Sequence, residues 1–302
     1  TVGMADTMMI SSVGEAAVSG VSLVDMINIL MFNIMAALAT GGAVVTSQFL
    51  GAKRKEDARR SAKQLLYTVI FSGVAIGAIV ILARKPLLRL FFGGIEADVM
   101  ENALIYLTIS ALSFPFLAVY NACAALFRSM GNSQITLKVS ILINLINVAG
   151  NAICIFGLHM GAAGVAIPSL ISRAVGSILL YFLLRNPSLE LCFLKEPFRL
   201  DFVIIRRILS IGIPSGVENG IFQLGRVLVV SIISGFGTVQ IAANGVANNL
   251  DSVGVLIGSA INLAMITVIG QCVGARDEKQ IRIYTKKLLL ATYIPTILFN
   301  II

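Results

Sequence analysis

The stretch SQFLGAKRKEDARRSAKQLLY, residues 47–67, is written a second time as GQCVGARDEKQIRIYTKKLLL, residues 270–290, without a gap. Seven of the 21 aligned pairs are identical: Gln48/Gln271, Gly51/Gly274, Ala52/Ala275, Arg59/Arg282, Lys63/Lys286, Leu65/Leu288 and Leu66/Leu289. The offset of 223 holds upstream, where Ser11 matches Ser234 and Gly14 matches Gly237. Solenoid repeats run to roughly 20–50 residues, so a period this long reads as a duplicated domain half. In an apolar chain it points to a transporter built from two related helix bundles.

The chain is apolar enough. Of its 302 residues 57% are hydrophobic and 13% charged, with a mean hydropathy of +0.93. A soluble domain carries about 25% charged residues, so the solvent of this chain is mostly lipid. The absence of Trp and the presence of 27 Gly suit helices that pack through small residues. A spanning helix needs roughly 20 apolar residues. Such segments, numbered 1 to 9, run at about 1–13 (partial), 24–49, 61–83, 99–127, 134–158, 161–184, 203–234, 241–272 and 284–302 (partial). Gly51, Gly93-Gly94, Gly131-Asn132, Gly161 and Asn186-Pro187 are the turn formers of the joints. Backbone exposed to lipid must satisfy its own hydrogen bonds, which dictates helices here.

The expected fold is an all-α integral membrane protein with two pseudo-symmetric six-helix bundles as parallel repeats, the second truncated. Residues 1–185 form the first lobe (segments 1–6), 186–202 a polar linker, and 203–302 the start of the second lobe (segments 7–9). Basic residues set the orientation. The joints after segments 2, 4, 6 and 8 hold 18 of the 23 Lys and Arg, including Lys53, Arg54 and Lys55 in one and Arg276 and Lys279 in another. These joints are expected to face the cytoplasm. The net charge of +8 is thus a topology signal, and a nucleic-acid partner is set aside. Cys123, Cys154, Cys192 and Cys272 show neither metal spacing nor a disulfide framework, and read as small hydrophobes.

Five stretches carry a resemblance: ADTMMISSVG at 5–14, TSQFLGAKRKEDA at 46–58, NVAGNAICIFGLHMGAAGVAIPSLIS at 147–172, GIPSGVENGIFQLGR at 212–226 and IGQCVGARDEK at 269–279. In order, spacing and duplication they resemble the MATE (multidrug and toxic compound extrusion) transporters, over essentially the whole chain. The resemblance implies a secondary antiporter of the cell (inner) membrane. It would export organic cations or drug-like amphiphiles in exchange for protons or sodium ions, by alternating access of a cavity between two lobes. A sister group, the flippases of lipid-linked precursors, shares the bundle and is the alternative. It would call for basic residues in the cavity, for which Arg173 and Arg226 are the candidates.

A carboxylate at membrane depth costs about 2.5–3.5 kcal/mol on insertion scales and needs a reason. Asp6 is such a group, and it matches the aspartate that the family uses as a protonation or cation site. Asn147 and Asn151 lie one turn apart on segment 5. In the family the second of this pair is commonly an aspartate, so a carboxylate is missing here. With Asn121 and Ser169, the resemblance implies a cation- or proton-coupling network of Asp6, Asn121, Asn147, Asn151 and Ser169. One negative charge among neutral oxygens favours a proton over sodium as the coupling ion. Glu218, Gln223 and Asp251 are candidate residues of a substrate cavity, and Asp25, near the start of segment 2, is expected at the interface. Pro115, Pro168 and Pro214 each remove a helix hydrogen bond and are candidate hinges.

No G-x-x-x-x-G-K-[ST] cradle for ATP phosphates occurs, so the energy is expected to come from a gradient or from a partner protein. No D-x-x-D run suggests a membrane prenyl transferase, and the chain is not read as an enzyme. No metal or organic cofactor is expected. The expected partners are a small organic cation and the lipid bilayer, with the protein acting as a monomer.

Overall fold

The structure, a computed structural model, describes residues 9–10, 12–93, 96–192, 199–234 and 238–301. Among the described residues there are nine α-helices and no strand. Segments 2 and 3 correspond to α1 (Glu15–Gly51) and α2 (Lys55–Leu82). A short α3 (Arg84–Phe92) precedes α4 (Ala97–Ser129), α5 (Ser133–Ala152) and α6 (Ala163–Leu183), which are segments 4, 5 and 6. Segments 7, 8 and 9 are α7 (Phe202–Ser234), α8 (Thr238–Gly274) and α9 (Glu278–Ile301). Six of these elements have a stretch long and apolar enough to cross a membrane: α1, α2, α4, α5 with its continuation to Gly157, α6, and α8 from Gly254.

Two differences from the sequence reading concern helix ends. Residues 84–92, expected in a joint, form a helix whose Leu88 is buried while Leu90 and Phe91 are exposed. Arg84, Lys85 and Arg89 share it with these apolar side chains, the composition of a helix lying at an interface. Segment 5 does not end as regular α-helix: Ile153–Gly157 is a single π-helical turn that carries the chain toward Gly161.

Helix α4 is the centre of the first bundle. It lies against α1, α2 and α6, and α5 packs on α6. Small residues set the spacing. A methyl on Gly73 of α2 would stand 2.9 Å from the Cα of Pro115, and one on Gly77 would stand 2.9 Å from the Ala111 carbonyl oxygen. Two apolar clusters fill the bundle. One, toward the basic joints, includes Met35, Leu65, Leu126, Phe127 and Leu180. The other, toward the opposite end, includes Val24, Val80, Leu107, Phe114 and Val165. Cys123, Cys192 and Cys272 are buried and Cys154 half-buried, all as free thiols.

The second bundle joins the first along α1, which packs against α7 and α8. Here the duplicated stretches meet each other. A methyl on Gly51 would overlap the carbonyl oxygen of Gln271, and a methyl on Gly274 would overlap that of Gln48. The contact is reciprocal, as a pseudo-twofold axis requires. It is extended by Gln271 Nε2, which donates to the Ser129 carbonyl at 2.8 Å, and by Thr267 Oγ1, which donates to the Arg128 carbonyl at 3.2 Å. Arg207 on α7 donates to the Gln48 side chain.

The joints repeat this symmetry atom by atom. After α1, the N–H groups of Ala52, Lys53 and Arg54 bond to the carbonyls of Gln48, Leu50 and Phe49. After α8, those of Ala275, Arg276 and Asp277 bond to Gln271, Val273 and Cys272. Gly51, expected as the turn former, is therefore the last helical residue, and the left-handed backbone falls on Lys53 (φ 58°) and Arg276 (φ 57°). Gly51 and Gly274 lack side chains because two helices cross there.

Candidate functional site

Helices α1, α4, α5 and α6 line an open cavity of about 590 Å³. Each contributes residues three or four apart, which places them on one face. These are Asp25, Asn28, Ile29 and Phe32 on α1, and Tyr106, Leu117, Tyr120 and Asn121 on α4. Helix α5 adds Ser140, Ile143, Asn144 and Asn147, and α6 adds Ser169, Ser172 and Arg173. Phe32, Leu117 and Ile143 add an apolar wall to the polar one.

The structure brings much of the expected network together. Asn147 is 3% exposed, and its Nδ2 donates to Ser169 Oγ at 2.9 Å. Asn151 is fully buried one turn further along α5, with its Nδ2 3.5 Å from Asn147 Oδ1. Asn121 lines the cavity from α4, and its Nδ2 is buried without a hydrogen-bond partner among the described residues. Asp6 lies outside the described residues.

Asp25 departs from the sequence reading. It lies ten residues inside α1 rather than near a helix start, half-buried on the cavity wall. Tyr106 Oη donates to its Oδ1 at 3.0 Å, and Asn28 Nδ2 donates to the same oxygen at 3.3 Å. Asn28 Nδ2 also stands 3.3 Å from Ser110 Oγ. Across the cavity, Arg173 Nη1 donates to Ser113 Oγ at 2.6 Å, and Ser113 Oγ donates to the Ser110 carbonyl at 2.6 Å. Asp25 is the one acid, and Arg173 the one base, among the described lining residues.

The other described candidates are not among the residues that line this cavity. Glu218 is exposed on α7 and Gln223 is half-exposed, and neither is among the described residues that line it. Asp251 belongs to α8, and its side chain is outside the described residues. Pro115 and Pro168 lie inside α4 and α6 at close crossings, against Gly73 and Gly150. Pro214 lies inside α7 and is exposed. No group of three or more His, Cys, Asp or Glu side chains able to hold a metal occurs among the described residues.

This arrangement of helices is that of known proteins. A solved structure described as MATE in the bent conformation superposes with a TM-score of 0.89 at 20% identity, over 99% of this chain and 67% of that one. An uncharacterized transporter, YisQ of Bacillus subtilis, is 31% identical over 280 residues, 91% of this chain and 61% of that protein. A probable multidrug resistance protein, NorM of Thermotoga maritima, is 25% identical over 92% of this chain and 60% of its own length. The chain thus spans about three-fifths of the curated relatives it matches. The MatE family model matches residues 1–153 and 214–302, both halves of the duplication. A multi-pass helical membrane protein whose repeats meet reciprocally, and whose sequence fits that model through most of its length, belongs to the MatE family.

Proposed function

We propose that this chain is part of a multidrug efflux transporter, a secondary antiporter that exports amphiphilic organic cations. The carrying observation is the cavity of about 590 Å³ inside the first bundle. It has an apolar wall for the body of such a molecule, and polar and acidic groups for its charge. Ligand sites of this kind are mostly apolar with a few placed polar groups, and in helical transporters they lie near the bilayer midplane. The NorM relatives are described as probable multidrug resistance proteins, which supports the same reading.

Residues 1–185 and 203–302 are read as the two lobes, joined by a linker at 186–202, and the joints after segments 2, 4, 6 and 8 as cytoplasmic. Alternating access then requires the lobes to part at the seam of Gly51 and Gly274, with Pro115, Pro168 and Pro214 as the hinge positions. The proton is the preferred coupling ion, at Asp6 with Asn121, Asn147, Asn151 and Ser169 around it, and sodium is the alternative. The protein acts as a monomer. The flippase reading needs several basic cavity residues, and only Arg173 is among the described lining; Arg226 is exposed on α7.

The test is transport of a fluorescent organic cation into everted vesicles carrying the full-length protein, the equivalent of efflux from the cell, with the proton and sodium gradients collapsed in turn. Efflux that stops only when the proton gradient is removed is the expected result. Efflux indifferent to both gradients would rule out the antiporter.

A further inference from the structure

We propose that Asp25 and Asn28 recognise the N–H-bearing head of a protonated amine, so that this cavity prefers such amines to permanently charged quaternary ammonium ions. The inference rests on the exporter reading above and narrows its substrate class.

Three observations carry it. First, both described donors to Asp25, Tyr106 Oη and Asn28 Nδ2, reach Oδ1, so neither hydrogen bond occupies Oδ2. Second, the Asn28 amide is oriented by its neighbours. Its nitrogen faces a carboxylate oxygen and the Ser110 hydroxyl, and turning the amide over would set two oxygens against each other. Its Oδ1 is consequently left buried with no hydrogen-bond partner. A buried acceptor without a donor carries the full cost of its lost hydration, and a ligand that brings a donor removes that cost. Third, Asp25 and Asn28 are three residues apart on α1, on one cavity face, so a head group at the carboxylate stands beside the Asn28 side chain and meets its oxygen once that side chain turns toward the cavity.

Charge alone does not select strongly here. Arg173 lines the same cavity, so the described charges, one acid and one base, cancel. A quaternary ammonium meets Asp25 with that handicap and has no hydrogen to offer Asn28. A protonated amine brings the charge and the hydrogen together, and a charge-assisted hydrogen bond is about twice as strong as a neutral one. Tyr106, Tyr120 and Phe32 present rings to the rest of the molecule.

The decisive measurement uses two probes of nearly equal size, (1-naphthylmethyl)dimethylamine, protonated at neutral pH, and its N-methylated trimethylammonium counterpart. Binding of each to the full-length protein in lipid nanodiscs is followed by naphthalene fluorescence. The amine is expected to bind about tenfold more tightly, one charge-assisted hydrogen bond's worth. Asp25→Asn should weaken the amine by at least about tenfold. Asn28→Ser, a milder change, should narrow the gap between the probes. Equal affinity for both probes in the wild type, or an unchanged amine affinity in Asp25→Asn, overturns the proposal. Loss of amine binding when choline chloride is replaced by sodium chloride would put a metal ion on these oxygens instead, and also overturns it. The two readings fail separately. Cation efflux with no amine preference defeats this inference alone, whereas amine selectivity without gradient-driven efflux defeats the exporter reading alone.

Discussion

Replacing Asp6 by asparagine removes a charge and leaves the side chain's shape nearly unchanged. If Asp6 couples the proton, Asp6→Asn should abolish proton-driven efflux in everted vesicles while the protein still inserts and still binds the protonated naphthyl amine. Full-rate efflux by the variant would take Asp6 out of the coupling. The other polar residues differ in how readable they are from sequence. Asn147 and Ser169 stand out because amides and hydroxyls are conspicuous in apolar segments, and the structure joins them at 2.9 Å. The start of segment 2 differs from that of α1 for a physical reason. Glu15, Ser19, Gly20 and Ser22 lower the local hydropathy, so an apolar window begins only near residue 24. The helix starts at Glu15 regardless, because Ala17, Gly20, Val21 and Val24 are buried, with Gly20 lying against the backbone of Ala103 on α4. Tertiary packing, invisible to a window average, extends α1 and carries Asp25 into the cavity.

At the scale of elements, the repeated joints were legible as joints but not as geometry. A glycine in a polar joint suggests a turn, yet both copies put their left-handed residue two places later, on Lys53 and Arg276. A non-glycine residue in that conformation costs about 1–2 kcal/mol, part of which glycine would return as extra freedom in the unfolded chain. Lys53→Gly and Arg276→Gly should therefore each stabilise the protein by about 0.5–1 kcal/mol, and distant sites add. Thermal unfolding of the purified full-length protein checks this: each variant should melt higher, and the pair higher still. The α3 helix was missed because its three basic residues resemble the charge of a loop. Only the spacing of its leucines and phenylalanines marks it as amphipathic.

For the whole molecule, duplication and hydropathy sufficed for the two-bundle plan, since each rests on patterns long enough to outweigh local ambiguity. How the bundles meet did not follow from them. The seam is set by helix backbones lying close enough that Gly51 and Gly274 each leave no room for a methyl. Bulk at this point must separate α1 from α8. Gly274→Val should lengthen the distance between spin labels placed on the equivalent, exposed Glu56 and Lys279, read by electron–electron double resonance. If the lobes must close here once per cycle, efflux should fall several-fold in the same variant, since backbone obstructs the added atoms and cannot rotate away as a flexible side chain would.

The seam has one more property. Because Gln48 and Gly51 meet Gln271 and Gly274 as a patch meets its own image, each side carries the template for the other. Two copies of either half could dock through the same surface with no new chemistry, as subunits of a homodimer do. The covalent joint between the halves is then a matter of stoichiometry rather than of fit, and a change that suits one half must be answered in the other before the pair again matches.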